Sequence, residues 1–438
     1  MEKEKYTSPS EDLKTVSMGD KRLDKRLVVS TENRMRNACK TRGSTKGFYR
    51  LLSNDKFNSE KLKTACFQST SERVKTCDKV LLVQDSTDVN LNGHKKTEGL
   101  GYSSNKTKGI QVHSCLAVAV TGIPLGLMYQ SYETRPEKKS SMSESEKKSR
   151  PIEEKESFRW LKALQESIKL VPDGVEAITI CDREGDIFEL YNQAKELGTS
   201  FVIRVSHDRK TETSDKLFAR VRKAPILGYV VVDIPRDSRK NTKARKARMA
   251  VSGCSVDVAK KKNAFALTIV RIVEVSETET PIEWILATNM PVDNAEDTIQ
   301  IVDYYVQRWK IERFHYVLKS GCKVEEIQQR TVERILPVIF ICSMIANFIL
   351  AMTYLGRELP DASCDMFFKE DEWKLLYRFA KKTKIPPHSP YPLSDAINFL
   401  GQLGVGKRAP SDGFFGAKAI WLGLKSFYSS IDILVGQV

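Results

Sequence analysis

Hydrophobic and polar positions along this chain follow two periods, and the periods divide it. From about residue 80 to 290 the apolar positions come in short β-branched runs bounded by polar residues. Val80–Val83, Val112–Val120, Pro124–Tyr129, Ala177–Ile180, Phe201–Ile203, Tyr229–Ile234, Arg248–Val251, Ala264–Val275 and Trp284–Thr288 each have the length and composition of a strand. Thr121-Gly122-Ile123 separates two of them and predicts a hairpin, which with the run before Asp85 makes an antiparallel group. Phe158–Leu170 has instead the recurrence of an amphipathic helix.

Ile335–Leu355 is 21 residues without a charge, long enough to cross a bilayer. Pro337, Ser343, Asn347 and Thr353 interrupt it, and a core helix buried on all sides has the same pattern. A membrane partner is not expected. Glu137–Glu156, dominated by Lys, Glu and Ser, reads as a mobile excursion, and the glycine-rich Gly401–Gly416 as loop. Residues 1–75 and those from about 356 onward read as mostly helical.

Two of the strand-like runs end in a carboxylate, at Asp85 and Asp182. Alone, an Asp after a strand is most often a cap for neighbouring backbone N–H groups. A third acid, Glu312, lies in Tyr305-Val-Gln-Arg308-Trp-Lys-Ile-Glu312-Arg-Phe-His-Tyr-Val-Leu-Lys319. On a continuous helix its polar residues at offsets 0, 3, 7 and 14 fall within a stripe about 60° wide, at about 100° per residue. An ordinary Arg308/Glu312 pair on an amphipathic helix accounts for part of that pattern equally well. Three carboxylates gathered by a fold repel unless divalent cations separate them, and hard oxygen ligands suit Mg²⁺ or Mn²⁺.

Charge narrows the partner. The 438 residues carry a formal net charge of +15, which favours a polyanion. Residues 1–75 hold eighteen Lys/Arg against ten Asp/Glu, and Arg42, Lys46 and Arg50 are candidate DNA contacts there. Arg236–Arg248 adds seven basic residues against one Asp. The nine cysteines are scattered without metal-ligand spacing, and the opening residues hold no apolar stretch; both lead us to expect reduced thiols in a cytoplasm. His113 and His315 lack ligand spacing and read as structural or DNA-facing.

The motifs Gln84-Asp85-Ser86-Thr87, Cys181-Asp182-Arg183-Glu184-Gly185-Asp186 and Tyr-x2-Arg-x3-Glu-x6-Lys together resemble the bacterial DDE transposases of the insertion-sequence-four, Tn-five-like family. Looser similarity covers Gly47–Asn54, Glu154–Trp160, Phe201–Arg204, Trp284–Thr288 and the tail around Asp412-Gly413 and Trp421–Gly423. The order of three strands, a helix and a strand fits the α/β ribonuclease-H-like core that the family has. The expected organisation is an N-terminal DNA-binding region (1–75), a catalytic domain (76–355) with a β-rich insertion (206–295), and a C-terminal helical dimerisation region (356–438).

The resemblance implies cut-and-paste transposition: binding of inverted-repeat ends, cleavage through a hairpin intermediate, and joining to target DNA by a homodimer on paired ends. Asp85, Asp182 and Glu312 would hold two Mg²⁺ ions, with Mn²⁺ able to substitute, and Asp85 as the bridge. Tyr305, Arg308, Lys319 and Arg204 would bind phosphate, and Trp284 would stack on a flipped base. Trp284 taken by itself reads as a core residue. Some relatives have a basic residue where this chain has Tyr316. A nuclease of the same fold without strand transfer and a non-catalytic DNA-binding regulator are the other readings.

Overall fold

The computed structural model describes residues 59–435, apart from 105, 137–142, 235–243, 261–262, 276–280, 328 and 407–412. Arg42, Lys46 and Arg50, and the first part of the basic Arg236–Arg248 stretch, lie outside the described residues.

Among those residues the chain builds a mixed α/β structure on one nine-stranded sheet, ordered β3-β2-β1-β4-β5-β9-β8-β7-β6. The strands are β1 (Lys79–Asn90), β2 (Gly109–Ala119), β3 (Pro124–Glu133), β4 (Glu176–Cys181), β5 (Ser200–Arg204), β6 (Ile226–Ile234), β7 (Arg245–Lys260), β8 (Asn263–Glu274) and β9 (Glu283–Thr288). Only β1, β4 and β5 pair in parallel; both flanks are antiparallel. A strand buried on both faces needs an unbroken apolar run, which is why Val80 to Val83 sit at the centre.

Alternation along the strands sorts the core into two layers. Val202 faces one with Ile178, Ile272, Trp284 and Leu286, while Phe201 and Ile203 face the other with Cys181, Phe265, Ile269 and Ile285. In the second layer Tyr191 stacks on Phe201 with ring centroids 5.0 Å apart. The β-rich runs expected at 206–295 form β6–β9 and extend this sheet, because β9 pairs with both β5 and β8.

Helix α1 (Ser59–Val74) packs on β3, where Arg73 donates to the Leu125 carbonyl at 2.6 Å. Next come α2 (Glu144–Ser149), α3 (Phe158–Ile168), α4 (Phe188–Glu196), α5 (Leu217–Arg222), α6 (Ala295–Val306) and α7 (Trp309–Tyr316). The C-terminal part holds α8 (Val332–Glu358), α9 (Glu370–Lys381), α10 (Leu393–Val405) and α11 (Ala417–Val435). Helix α8 contains the uncharged run; its most apolar window is 83% buried against the rest of the chain.

Four expectations need correction. Part of the excursion at 137–156 is folded: Ser143 and Glu146 form a capping box that starts α2. The stretch Tyr305–Lys319 is not one helix, since α6 stops at Val306, α7 starts at Trp309 and a π-helical turn covers Val317–Gly321. Gly401 and Gly404 lie inside α10 rather than in a loop. A Cβ on Gly404 would stand 2.3 Å from the Ala419 carbonyl, and one on Gly423 would stand 1.9 Å from that of Leu400, so α10 and α11 cross backbone to backbone. Finally, in the C-terminal region expected to serve dimerisation, the large apolar side chains Trp373, Phe415, Trp421 and Leu424 are spent in the chain's own core, while Phe414 is exposed.

Candidate active site

Asp85 lies within β1 rather than at its end, but the parallel pairing to β4 stops at Val83↔Ile180. Beyond that point β1 has no neighbour on its β4 side, and β4 itself runs out at Cys181. Asp182 follows directly and caps a single 3₁₀ turn at Arg183–Gly185, accepting from the Glu184 N–H at 2.8 Å. The turn requires Gly185, because a Cβ there would meet the Cys181 Cβ at 2.4 Å. The carboxylates therefore sit on adjacent parallel strands, at the edge where open α/β sheets bind ligands.

Helix α7 packs on β1 and brings Glu312 to the same place. Burial first, and then the charge of Asp182, push the Asp85 carboxyl up to about 7; Glu312 adds to that rise, and Arg308 together with the Ser86 N–H opposes it. Asp182 and Glu312 thus both act on Asp85 through a poorly solvated space. Arg308 donates to Glu312 at 2.6 Å. Burial disfavours the Arg308 charge, but Tyr305, Glu312 and Asp85 outweigh it and hold its pKa above the ordinary arginine value. This is more than a surface pair four residues apart, since the Arg308 side chain is only 9% exposed.

Arg308 sits in the turn between α6 and α7, above Tyr305. The Tyr305 hydroxyl is buried without an aligned hydrogen bond; burial raises its pKa, against the pull of Arg308 and Arg204. Arg204, at the end of β5, is half-buried and has its own pKa lowered by burial and by the nearby cations Arg183 and Arg308. Its Nη2 donates to the Glu283 carbonyl at 3.3 Å. The π-helical turn carries Lys319 toward the far part of β1, where burial raises the pKa of Asp88 with Lys319 opposing, and where burial and then Lys319 lower that of His315.

Two residues were missed as parts of this site. Arg159, on α3, donates to Ser86 Oγ at 3.1 Å and to Glu184 Oε2 at 3.0 Å, so one guanidinium ties the turn after Asp85 to the turn after Asp182. Asp186 is fully buried and accepts from the backbone N–H groups of Ser206 and His207 at 2.7 and 2.9 Å, from the Tyr191 hydroxyl, and from Arg209 at 2.6 Å. It fastens the segment after β5 to the turn after β4. Both lie in quoted motifs, but only their pairing identifies a role.

His113 is a structural histidine: Nδ1 meets Ser86 Oγ at 2.9 Å, Nε2 meets Gln84 Oε1 at 3.2 Å, and burial drives its pKa well down. His315 places Nδ1 3.7 Å from Asp85 Oδ2, too far for a hydrogen bond, and burial brings its pKa down to about 3. Trp284 is buried and packs edge-to-face on Tyr305 at 5.6 Å. In this conformation it has no face open to a base.

A family model described as "Transposase DDE domain" matches residues 156–348, and one described as "Transposase Tn5 dimerisation domain" matches residues 344–434. The chain is a DDE transposase of the Tn5-like type. The first match spans Asp182, Arg204, Trp284, Tyr305, Arg308, Glu312 and Lys319. Asp85 precedes it, so its place in the site of this transposase rests on β1 lying beside β4. Among solved structures the transposase is similar to a piggyBac transposase synaptic complex with hairpin DNA, with a TM-score of 0.36 and 13% identity over 79% of this chain. It spans 65% of that chain's length.

Proposed function

We propose that this transposase cuts and joins double-stranded DNA by metal-dependent phosphoryl transfer at Asp85, Asp182 and Glu312, on a ribonuclease-H-like core. The observation that carries the reading is the convergence of the three acids, with the Asp85 carboxyl raised to about 7 by burial and by the other two charges. A fold that sets like-charged carboxylates beside one another has a use for a cation between them.

The donor set fits Mg²⁺ or Mn²⁺, since all three groups are hard oxygen ligands. In this conformation, among the described residues, no three His, Cys, Asp or Glu side chains are close enough to hold one ion together. Glu312 is instead held by Arg308, so it must exchange that partner before it can complete a site. Bound divalent cations would supply water activation and charge neutralisation at the scissile phosphate. The chain's own residues do the rest. Arg308 and Arg204 clamp non-bridging phosphate oxygens, Tyr305 lends its buried hydroxyl, and Lys319 adds a point charge. Arg159 and Asp186 keep the two aspartate turns in register.

In the full cycle, water attack nicks the transposon end. The 3′-OH so released attacks the opposite strand to give a hairpin, a second water opens it, and the 3′-OH joins the target. Two copies on paired ends carry this out, with the segment from 344 as their contact.

The hairpin step would need Trp284 to leave Tyr305 and stack on a flipped base. Trp284→Phe keeps most of the core volume, so first-strand nicking is expected to stay near normal. Hairpin formation should slow by up to about tenfold, the smaller ring recovering less of a stacking energy of about 1–3 kcal/mol. Time courses of both strands decide it: equal slowing of the two steps would return Trp284 to a purely structural role.

End recognition is assigned to the N-terminal region. Helix α1 is part of the sheet's packing, so the deletion that tests recognition stops at residue 58 and removes fourteen Lys/Arg against eight Asp/Glu. It is expected to weaken end binding at least about tenfold and to flatten its salt dependence, because fewer counterions are released. Unchanged gel-shift affinity would place recognition elsewhere. The central test of the function itself is Mg²⁺-dependent nicking of a labelled inverted-repeat duplex, and a protein that binds this duplex but never nicks it contradicts the proposal.

A further inference from the structure

The loop after β1 and the segment before α8 enclose a cavity of about 960 Å³ that phosphoryl transfer does not use. Its walls carry Lys95, Lys96, Arg330 and Arg334 against one acid, Glu98. None of these four cations makes an ion pair with a described residue. A concentration of unneutralised positive charge in a concave site is a place for an anion.

The cavity is also built, rather than a gap between surface loops. Thr97 Oγ1 donates to the Gln329 carbonyl at 2.7 Å, the Glu98 N–H to the Arg330 carbonyl at 2.8 Å, and the Val332 N–H to the Glu98 carbonyl at 3.2 Å. Glu325 holds the Asn90 N–H at 2.8 Å and so ties the end of β1 to the same wall. Helix α8 starts here, and its positive end adds to the field.

Two buried side chains in the lining are incomplete. Gln329 is 6% exposed and its Nε2 has no partner; His94 is 8% exposed and its Nδ1 has none. His94 Nε2 lies 3.0 Å from the Glu325 carbonyl, which can only accept, so the ring hydrogen sits there and Nδ1 is left bare. Buried polar atoms are rarely left without partners, and a ligand in the cavity is the simplest way to complete the Gln329 donor.

We propose that this cavity is a second phosphate-binding site, separate from the carboxylates, in which Lys95, Lys96, Arg330, Arg334 and the Gln329 amide hold a phosphate group. Phosphate is favoured over a carboxylate ligand because four cations around one acid suit a group with more charge and more acceptor oxygens. The end of β1 at Asn90, five residues past Asp85 and about 16 Å from it at about 3.3 Å per residue, leads into the Gly93–Glu98 wall of the site. A phosphodiester a few nucleotides from the reacting bond falls at that distance. A free polyphosphate would present the same chemistry. The DNA source rests on the function proposed above; the site itself does not.

The test uses full-length protein, the exposed-side double variant Arg330→Ala/Arg334→Ala, and Gln329→Leu, each first checked for an unchanged thermal midpoint without ligand. Affinity for a duplex of unrelated sequence is measured between 50 and 200 mM salt, on the order used for such slopes. Thermal midpoints are measured with pyrophosphate. If DNA supplies the phosphate, the double variant binds several-fold more weakly and its log–log salt slope falls by about one to two. If a free polyphosphate does, pyrophosphate raises the midpoint of the parent but not of the double variant or Gln329→Leu, while the DNA isotherms coincide. Variants that match the parent in both measurements overturn the site. Asp85→Asn is expected to abolish nicking and keep both phosphate responses, so failure of the catalytic reading is seen separately.

Discussion

Asp85→Ala, Asp182→Ala and Glu312→Ala are each expected to reduce metal-dependent nicking by more than about a hundredfold, with duplex binding changed only several-fold. The three acids have different surroundings, so the three variants test different things. Asp85 is the member whose carboxyl is pushed up to about 7, and removing it takes away the group on which the other two charges act. Asp182 is fixed by its own turn and by the Glu184 N–H. Glu312 is paired to Arg308, so Glu312→Ala also leaves a buried guanidinium without its closest acceptor. A loss of folding in that variant would confuse the result, and Glu312→Gln, which keeps an acceptor for Arg308, separates the two effects. Groups that act as one unit are not additive, so a variant lacking two of the acids should be little worse than one lacking a single acid. Nicking at the parent rate by any single variant removes that residue from the site. Cleavage losses that multiply across a double variant would argue against one shared centre.

Much of this site was legible because strands declare themselves by their period. Val80–Val83 and Ala177–Ile180 had to be buried, and an Asp just past such a run had to emerge at the same sheet edge if the strands were parallel neighbours. That adjacency is what the structure adds. The helix face was legible only in part. Nothing in Gln307-Arg308 or Val317–Lys319 breaks a helix by propensity, and only Gly321 signals an end; the earlier interruptions come from packing, with Val317, Leu318 and Gly321 buried. The glycines of α10 and α11 were misread because Gly marks both a turn and a close helix crossing, and only the partner backbone at Leu400 and Ala419 tells them apart. Likewise an apolar helix face does not say whose core it enters. Trp421 and Leu424 face this chain, so any contact between two copies falls to other surfaces of the dimerisation segment. Arg159 and Asp186 were invisible for the opposite reason: charged residues read as solvated until a buried partner is seen.

Asp186→Asn is expected to cost about 3–5 kcal/mol at neutral pH, the usual effect of breaking a buried ion pair from one side. Burial alone would raise the Asp186 pKa, but Arg209, the Tyr191 hydroxyl and the backbone N–H groups of Ser206 and His207 outweigh it and hold the carboxyl below its usual range. Its folded pKa is therefore depressed relative to the unfolded chain. The stabilisation is fully present above the unfolded value of about 4 and is lost as the pH falls through the folded value. Urea midpoints of parent and variant should accordingly differ most at pH 7 and draw together as the pH falls through the folded value. A gap that stays equal as the pH falls would mean that Asp186 acts by shape rather than by charge. The substitution also loosens the 206–209 segment from the turn after Asp182, beside Arg204. Nicking by folded variant should then fall through a weaker apparent metal affinity, recoverable by raising Mg²⁺. Duplex binding through the N-terminal region should not change. A variant as stable as the parent at pH 7, with the same metal requirement, would show that the clamp holds neither the fold nor the site.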